Sequence, residues 1–312
     1  MSQPVQSLPW ARPEMTALVF DRDFNVTPGA AEALSPLVRR VVAGNAGPYT
    51  FKGTSTFIVG RGRVAVIDPG PDDSAHLASL LEALRGETVS HILVTHSHAD
   101  HSPLAKALQM ATGARTYAYG AVAAPGGAAG LRLDASIDHG FTPDERLGDG
   151  DAVSGPGWTL TALFTPGHMS NHLCFALPEE DALFSGDHVM SWATSVIAPP
   201  DGDMGQYFAS LEKLLTRQDA VYHPGHGPSR RDPAALVHGY LGHRRMREEA
   251  IRASVENGAR IVGEVVAAVY KDLDPALHGA AALSATAHLD HLVARGRLRL
   301  RDGIYEAVPG KR

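Results

Sequence analysis

Residues 95–101 read Thr95-His96-Ser97-His98-Ala99-Asp100-His101 and directly follow the apolar run HILV at 91–94. That run has the composition of a buried strand, so the histidines leave it on an extended segment before the next helix begins. Residues two apart in an extended chain point the same way, and His96 and His98 can therefore present imidazoles to one metal ion. Asp100 and His101 follow at the expected start of the helix, beside the first ion and aimed at a second. Three later segments end on residues of the same kind: TPGH (165–168) gives His168, SGD (185–187) gives Asp187, and PGHG (224–227) gives His226. Each carries a glycine, which permits a tight turn where backbone and side chain approach an ion. The two oxygens of a carboxylate such as Asp187 can bridge two cations, which an imidazole cannot do. Nitrogen and oxygen donors without thiolate suit Zn2+, Mn2+ or Fe2+.

The 312 residues suffice for one large domain, or a large one plus a small one, and 44% hydrophobic with 20% charged residues is ordinary globular composition. No apolar run approaches the roughly 20 residues of a bilayer crossing, and the N-terminus lacks a basic-then-apolar signal pattern, so a cytoplasmic location is expected. The single cysteine, Cys174, lies in the apolar run HLCFAL and reads as a small buried thiol. Sixteen histidines cluster beside Asp and Gly, as imidazole metal sites do. Charge is uneven: residues 240–312 carry 12 Lys and Arg against 9 Asp and Glu, a net of +3, and the remainder carries −9.

Outward from the histidine segment, TSTFIVG (54–60) and RVAVIDPG (63–70) read as two strands joined by a turn at 60–62. PDDSAHLASLLEALRG (71–86) is a predicted helix with Pro71 and two aspartates in its first turn and Gly86 as its stop. SPLAKALQMATG (102–113) is another, ended by Gly113. AVAAPGGAAG (121–130) reads as a surface loop. Between residues 158 and 189 short β-rich runs each end at a histidine or aspartate, so their ends can converge. From about residue 240 the pattern turns helical, over 240–258, 261–273 and 282–296. RLRLRDGIYEAV (297–308) closes the chain as a hairpin turning at Asp302 and Gly303. Three helices and a hairpin read as a winged helix, which divides the chain into domains at 1–239 and 240–312. Asp68, ending VAVIDPG, is expected to orient a metal ligand rather than bind metal. His172 is a candidate for touching substrate; His139, His223 and His243 are read as structural.

HxHxDH followed by separated His, Asp and His resembles the metallo-β-lactamase superfamily, with the likeness running from about Val41 to His226. That resemblance implies an α/β fold, a four-layer αββα sandwich, here with a C-terminal winged-helix domain. It also implies that His96, His98 and His168 hold a first metal, that Asp100, His101 and His226 hold a second, and that Asp187 bridges them. Two such ions, most readily Zn2+, with Mn2+ or Fe2+ as alternatives, give a shared hydroxide at neutral pH that attacks a carbonyl carbon or a phosphorus. Asp100 then holds the hydroxide and passes a proton to the leaving group.

The fold hosts many chemistries, so substrate must be read elsewhere. A winged helix after such a body resembles the group that includes a mitochondrial endoribonuclease acting on single-stranded RNA. The segments GPYTFKGTSTFIVG (47–60), GDHVMSWATSVIAPPDGDM (186–204), HPGHGP (223–228) and HRRMREEAI (243–251) carry that likeness. Arg295, Arg297, Arg299 and Arg301 alternate along the hairpin's expected first strand and would face successive phosphates. The first expectation is therefore phosphodiester hydrolysis in single-stranded RNA. A glyoxalase-II-like hydrolysis of a thioester or other small-molecule ester is the second, and an inactive nucleic-acid-binding regulator the third. Only 39 positions separate Asp187 from His226, which leaves no room for the inserted domain of some nucleases of the fold. Met169 stands where relatives often place a hydroxyl residue, and is expected to make the pocket locally apolar.

Overall fold

The structure, a computed structural model, describes residues 18–122, 137–271 and 277–308. Most of the loop expected at 121–130 lies outside them.

Seven strands form one sheet in chain order: β1 (Ala31–Ala33), β2 (Val38–Val42), β3 (Ser55–Val59), β4 (Arg63–Ile67), β5 (Thr88–Leu93), β6 (Arg115–Ala118) and β7 (Glu145–Arg146). The first four pair antiparallel and the rest parallel, because α1 (Ser74–Ala83) and α2 (Leu104–Thr112) cross over between β4, β5 and β6. A second sheet has β8 (Ala152–Gly155), β9 (Trp158–Phe164), β10 (Leu173–Leu177), β11 (Ala182–Gly186), β12 (Val221–Pro224) and β13 (Arg230–Arg231), neighbours in that order. β11 and β12 run parallel, joined over α3 (Met204–Leu214).

Three apolar clusters make the layers. Phe57, Val59, Ile67 and Leu93 of the first sheet meet Leu160, Phe175, Leu177 and Phe184 of the second. Ile58, Val66 and Ile92, on the alternate positions of their strands, pack under Leu80 of α1 and Leu108 of α2. Cys174 and Leu183 face the other way, toward Tyr207 and Leu211 of α3 and Val237 and Tyr240 of α4 (Pro233–Glu256). Strands buried on both faces explain why β3 and β10 are buried at every position rather than at alternate ones. The order is helix, sheet, sheet, helix. Cys174 is fully buried, and burial pushes its thiol up to about 12, which makes it inert near neutral pH.

A fourth cluster gathers Ile251 and Val255 of α4, Val265 of α5 (Val262–Val269), Leu289 of α6 (His278–Ala294), and Leu298 and Tyr305. The last two belong to the hairpin β14 (Leu298–Arg301) and β15 (Ile304–Ala307). α4 begins before the tail and runs unbroken past residue 240, so one helix serves both the sandwich and the winged helix.

Local details differ from expectation. α1 starts at Ser74 because the Asp73 carboxylate accepts the Ala75 N–H at 2.8 Å and caps it, leaving Pro71 and Asp72 outside. Asp100 and His101 lie in a turn before α2 rather than in it. Of the four alternating arginines only Arg299 and Arg301 lie on the strand, since Arg295 closes α6. Arg299 also sits opposite Glu306, and Arg297 acts on the nearby Glu249, so acidic neighbours offset the row expected to meet phosphates.

His223 lies between the sheets, with the Phe57 and Phe184 rings at 5.6 and 5.3 Å. Burial, helped by Arg40 and Arg231, pushes it down to about 3. The unfolded chain therefore takes that proton first, and the stability present above about pH 6.5 is lost as pH falls toward 3. His223→Gln should flatten acid destabilisation by up to about 1.4 kcal/mol per pH unit. Urea midpoints of the two proteins between pH 4 and pH 7 check this; parallel curves would show that His223 is not a neutral interior group.

Candidate metal centre

The seven expected ligands sit at four strand ends. His96, His98, Asp100 and His101 follow β5, His168 follows β9, Asp187 follows β11, and His226 follows β12. Backbone bonds tie these ends across the two sheets: Leu173 N–H donates to the Thr95 carbonyl and Ser55 N–H to that of Gly225, both at 2.8 Å. Gly225 is required, because a Cβ there would lie 2.5 Å from an Asp187 oxygen and 2.7 Å from the His101 ring.

The structure brings all seven together. His96 Nε2 and His168 Nε2 lie 2.9 and 3.1 Å from His98 Nδ1. Asp100 Oδ2 lies 3.5 Å from His101 Nε2 and 3.2 Å from His226 Nε2. Asp187 stands between the groups, with Oδ2 3.8 Å from His168 Nε2 and 3.3 Å from His226 Nε2, and Oδ1 3.5 Å from His101 Nε2.

The surrounding groups fix the ring protons. Asp68 accepts the Thr95 N–H and hydroxyl, each at 2.7 Å, and the His101 Nδ1–H at 2.9 Å. Thr95 Oγ1, its proton committed to Asp68, accepts from His96 Nδ1 at 2.9 Å. The Val196 carbonyl accepts from His168 Nδ1 at 2.7 Å, and that of Gly53 from His226 Nδ1 at 3.3 Å. Four histidines thus aim their Nε2 atoms into one space, the arrangement that metal-ligating imidazoles adopt. Tetrahedral Zn–N bonds of 2.0–2.1 Å would set donors about 3.3 Å apart, close to the spacings within the first group. His101 Nε2 and Asp187 Oδ1 are buried without a hydrogen-bond partner, which a cation between them would relieve.

Electrostatics divide the cluster in the same way. Burial, reinforced by neighbouring histidines, holds His96 well below its ordinary range and His98 down at about 3, so both are neutral donors. Burial opposes charge on His226 as well, but Asp187 and Asp100 prevail and push it up to about 10. Those protons are what a divalent cation displaces. Donor chemistry, tautomers and spacing all fit metal ions.

One expectation fails on geometry. His172 is fully buried, with Nδ1 on Thr165 Oγ1 at 2.9 Å and Nε2 accepting the Asp187 N–H at 3.2 Å, so it braces a ligand from behind and cannot touch substrate. Met169, expected to make the pocket locally apolar, is 1% exposed. Sequence reasoning missed Thr95, and missed the carbonyls of Gly53 and Val196, which have no residue-type signature.

A family model described as the metallo-beta-lactamase superfamily matches residues 48–226, more than half of the chain. The chain belongs to the metallo-β-lactamase superfamily. It is a hydrolase of that fold, with a His and Asp cluster suited to divalent metal. A second model, the beta-lactamase associated winged helix domain, matches residues 262–307. An atrochrysone carboxyl ACP thioesterase of Paecilomyces divaricatus is 33% identical over 80% of this chain and 74% of its own length. A lactamase-like protein of Aspergillus niger is 31% identical over 72% of this chain and 66% of its own. A metallo-beta-lactamase family protein of Thermus thermophilus shares the fold at TM-score 0.71 and 22% identity, covering 88% of this chain and 100% of that one. A beta-lactamase domain protein from Burkholderia ambifaria does so at 0.74 and 21%, covering 93% and 98%. Among the described residues no helix is long and apolar enough to cross a membrane.

Proposed function

We propose that the chain hydrolyses the thioester of a small organic acid, using two divalent ions, Zn2+ first among them. His96, His98 and His168 would hold one ion, Asp100, His101 and His226 the other, and Asp187 would reach both. Residues 1–239 would carry this site and 240–312 the helical module behind it. The observation that carries the substrate class is the likeness, at 33% identity, to a relative named as an ACP thioesterase. Chemistry agrees: a thiolate of pKa about 8.5 departs with little help from an acid, whereas a nucleotide alkoxide needs a proton. The single-stranded RNA reading has less support, since the hairpin arginines have acidic neighbours.

Bound divalent ions would polarise the thioester carbonyl and make hydroxide available near pH 7. Asp100, at 24% exposure the most open of the site's carboxylates, is placed to hold the attacking water's proton and release it to solvent or to the sulfur. Its third partner, Thr54 Oγ1 at 3.4 Å, is itself held by Asn45 Nδ2 at 2.9 Å. Asp68 and Val196 keep His101 and His168 in the tautomers that expose their lone pairs.

The test offers metal-loaded protein an acyl thioester on coenzyme A or a carrier protein, a lactone, and labelled single-stranded RNA, each with and without chelator. The thioester should be cleaved at least about tenfold faster than the lactone by kcat/KM, and the RNA left intact. Chelator-sensitive RNA cleavage with an untouched thioester would reverse the assignment.

A further inference from the structure

Residues 190–195 and 243–251 have no part in the chemistry above, yet they meet. Arg244, on α4, is 3% exposed, and its guanidinium donates through Nη2 to the Ser195 carbonyl. Among the described residues no carboxylate lies within ion-pair reach of it, its Nε has no partner, and its Cζ lies 5.3 Å from the centre of the Tyr207 ring. A buried cation without a counter-charge is costly, and a fold that only needed filling there would do better with an apolar side chain. One turn earlier on α4, the Tyr240 hydroxyl accepts the Met190 N–H at 3.1 Å and points its single proton at the carbonyls of Met190 (2.7 Å) and Ala193 (2.6 Å). Both side chains therefore grip the backbone of residues 190–195. The next carbonyl in that stretch, Val196, is the one that holds His168 Nδ1 at 2.7 Å.

We infer that Arg244 is a positioning residue: from the helix that roots the C-terminal module, it fixes through Ser195 and Val196 the direction in which His168 presents Nε2. The inference rests on the metal assignment proposed above. Position i and i+4 on one helix face give two grips on one short loop, so the loop carbonyl cannot drift without breaking both. The metal group containing His168 thereby depends on α4, while the group of Asp100, His101 and His226 does not touch this loop through any of these bonds.

Zinc titration of full-length protein against a chromophoric chelator tests this. Wild type should bind two equivalents; Arg244→Gln should bind one of them 10- to 100-fold more weakly and keep the other. Arg244→Lys, which retains charge but loses the planar reach, should fall between. Circular dichroism and thermal melts of the metal-free forms supply the readout that a merely structural role would move instead. If Arg244→Gln lowers the metal-free melting temperature while both zinc affinities stay as in wild type, the inference is overturned. Should that variant fail to fold, Tyr240→Phe, which removes one hydroxyl, decides: selective weakening of one equivalent supports the inference, and unchanged affinities overturn it. Wild-type protein that binds no zinc would instead refute the metal assignment itself.

Discussion

Asp187→Ala should cut thioester hydrolysis by at least about 10³-fold, a loss of roughly 4 kcal/mol in transition-state stabilisation. Among the described residues Asp187 is the one side chain whose oxygens approach His101, His168 and His226 together, at 3.5, 3.8 and 3.3 Å. Without it the two donor groups share no oxygen, and His101 and His226 lose a carboxylate that drives their pKa upward. Bound zinc should fall below two equivalents in the same preparation. Asp187→Asn, which keeps shape and one carbonyl oxygen but no charge, should lose less activity than the alanine variant. Steady-state kcat/KM together with zinc per chain checks the pair; an alanine variant within tenfold of wild type would remove Asp187 from the site.

The second large effect belongs to a residue that touches no proposed ion. Asp68 is 2% exposed and adopts φ +50°, a left-handed backbone that a non-glycine residue holds only under constraint. The return is three hydrogen bonds to Thr95 and His101. Asp68→Ala would leave the Thr95 N–H and His101 Nδ1–H buried and unpaired, at a cost of about 2–5 kcal/mol in stability. Zinc affinity should drop 10- to 100-fold as His101 loses its orientation. Asp68→Gly relaxes the backbone but forfeits the same bonds, so it should fail almost as badly. Chemical denaturation and chelator competition measure both; a glycine variant with wild-type affinity would mean that backbone shape, not the carboxylate, is what matters.

The four segments that converge were legible because each expected ligand stands beside a glycine or a strand end, and local sequence carries both signals. The sandwich was legible through resemblance more than through periodicity, since β3 and β10 are buried on both faces and do not alternate. What local pattern could not reveal was direction. His172 follows His168 closely yet sits behind Asp187, because the chain after His168 reverses to start β10. The arginine row looked regular in sequence until the end of α6 consumed Arg295 and pairing set Arg299 against Glu306. Val196 acts through a carbonyl that every residue has, so no residue type could have marked it. Substrate class lay furthest from reach, since the ligands set the chemistry and leave the acyl or phosphoryl partner to surfaces that only folding assembles.

The central claim is that His96, His98, Asp100, His101, His168, Asp187 and His226 hold two divalent ions that hydrolysis requires. Elemental analysis of the purified protein, before and after exhaustive demetallation and alongside its thioesterase rate, tests it most directly. Two equivalents of metal per chain are expected, with activity lost on removal and regained as the second equivalent returns. A rate unchanged in protein stripped of metal would contradict it.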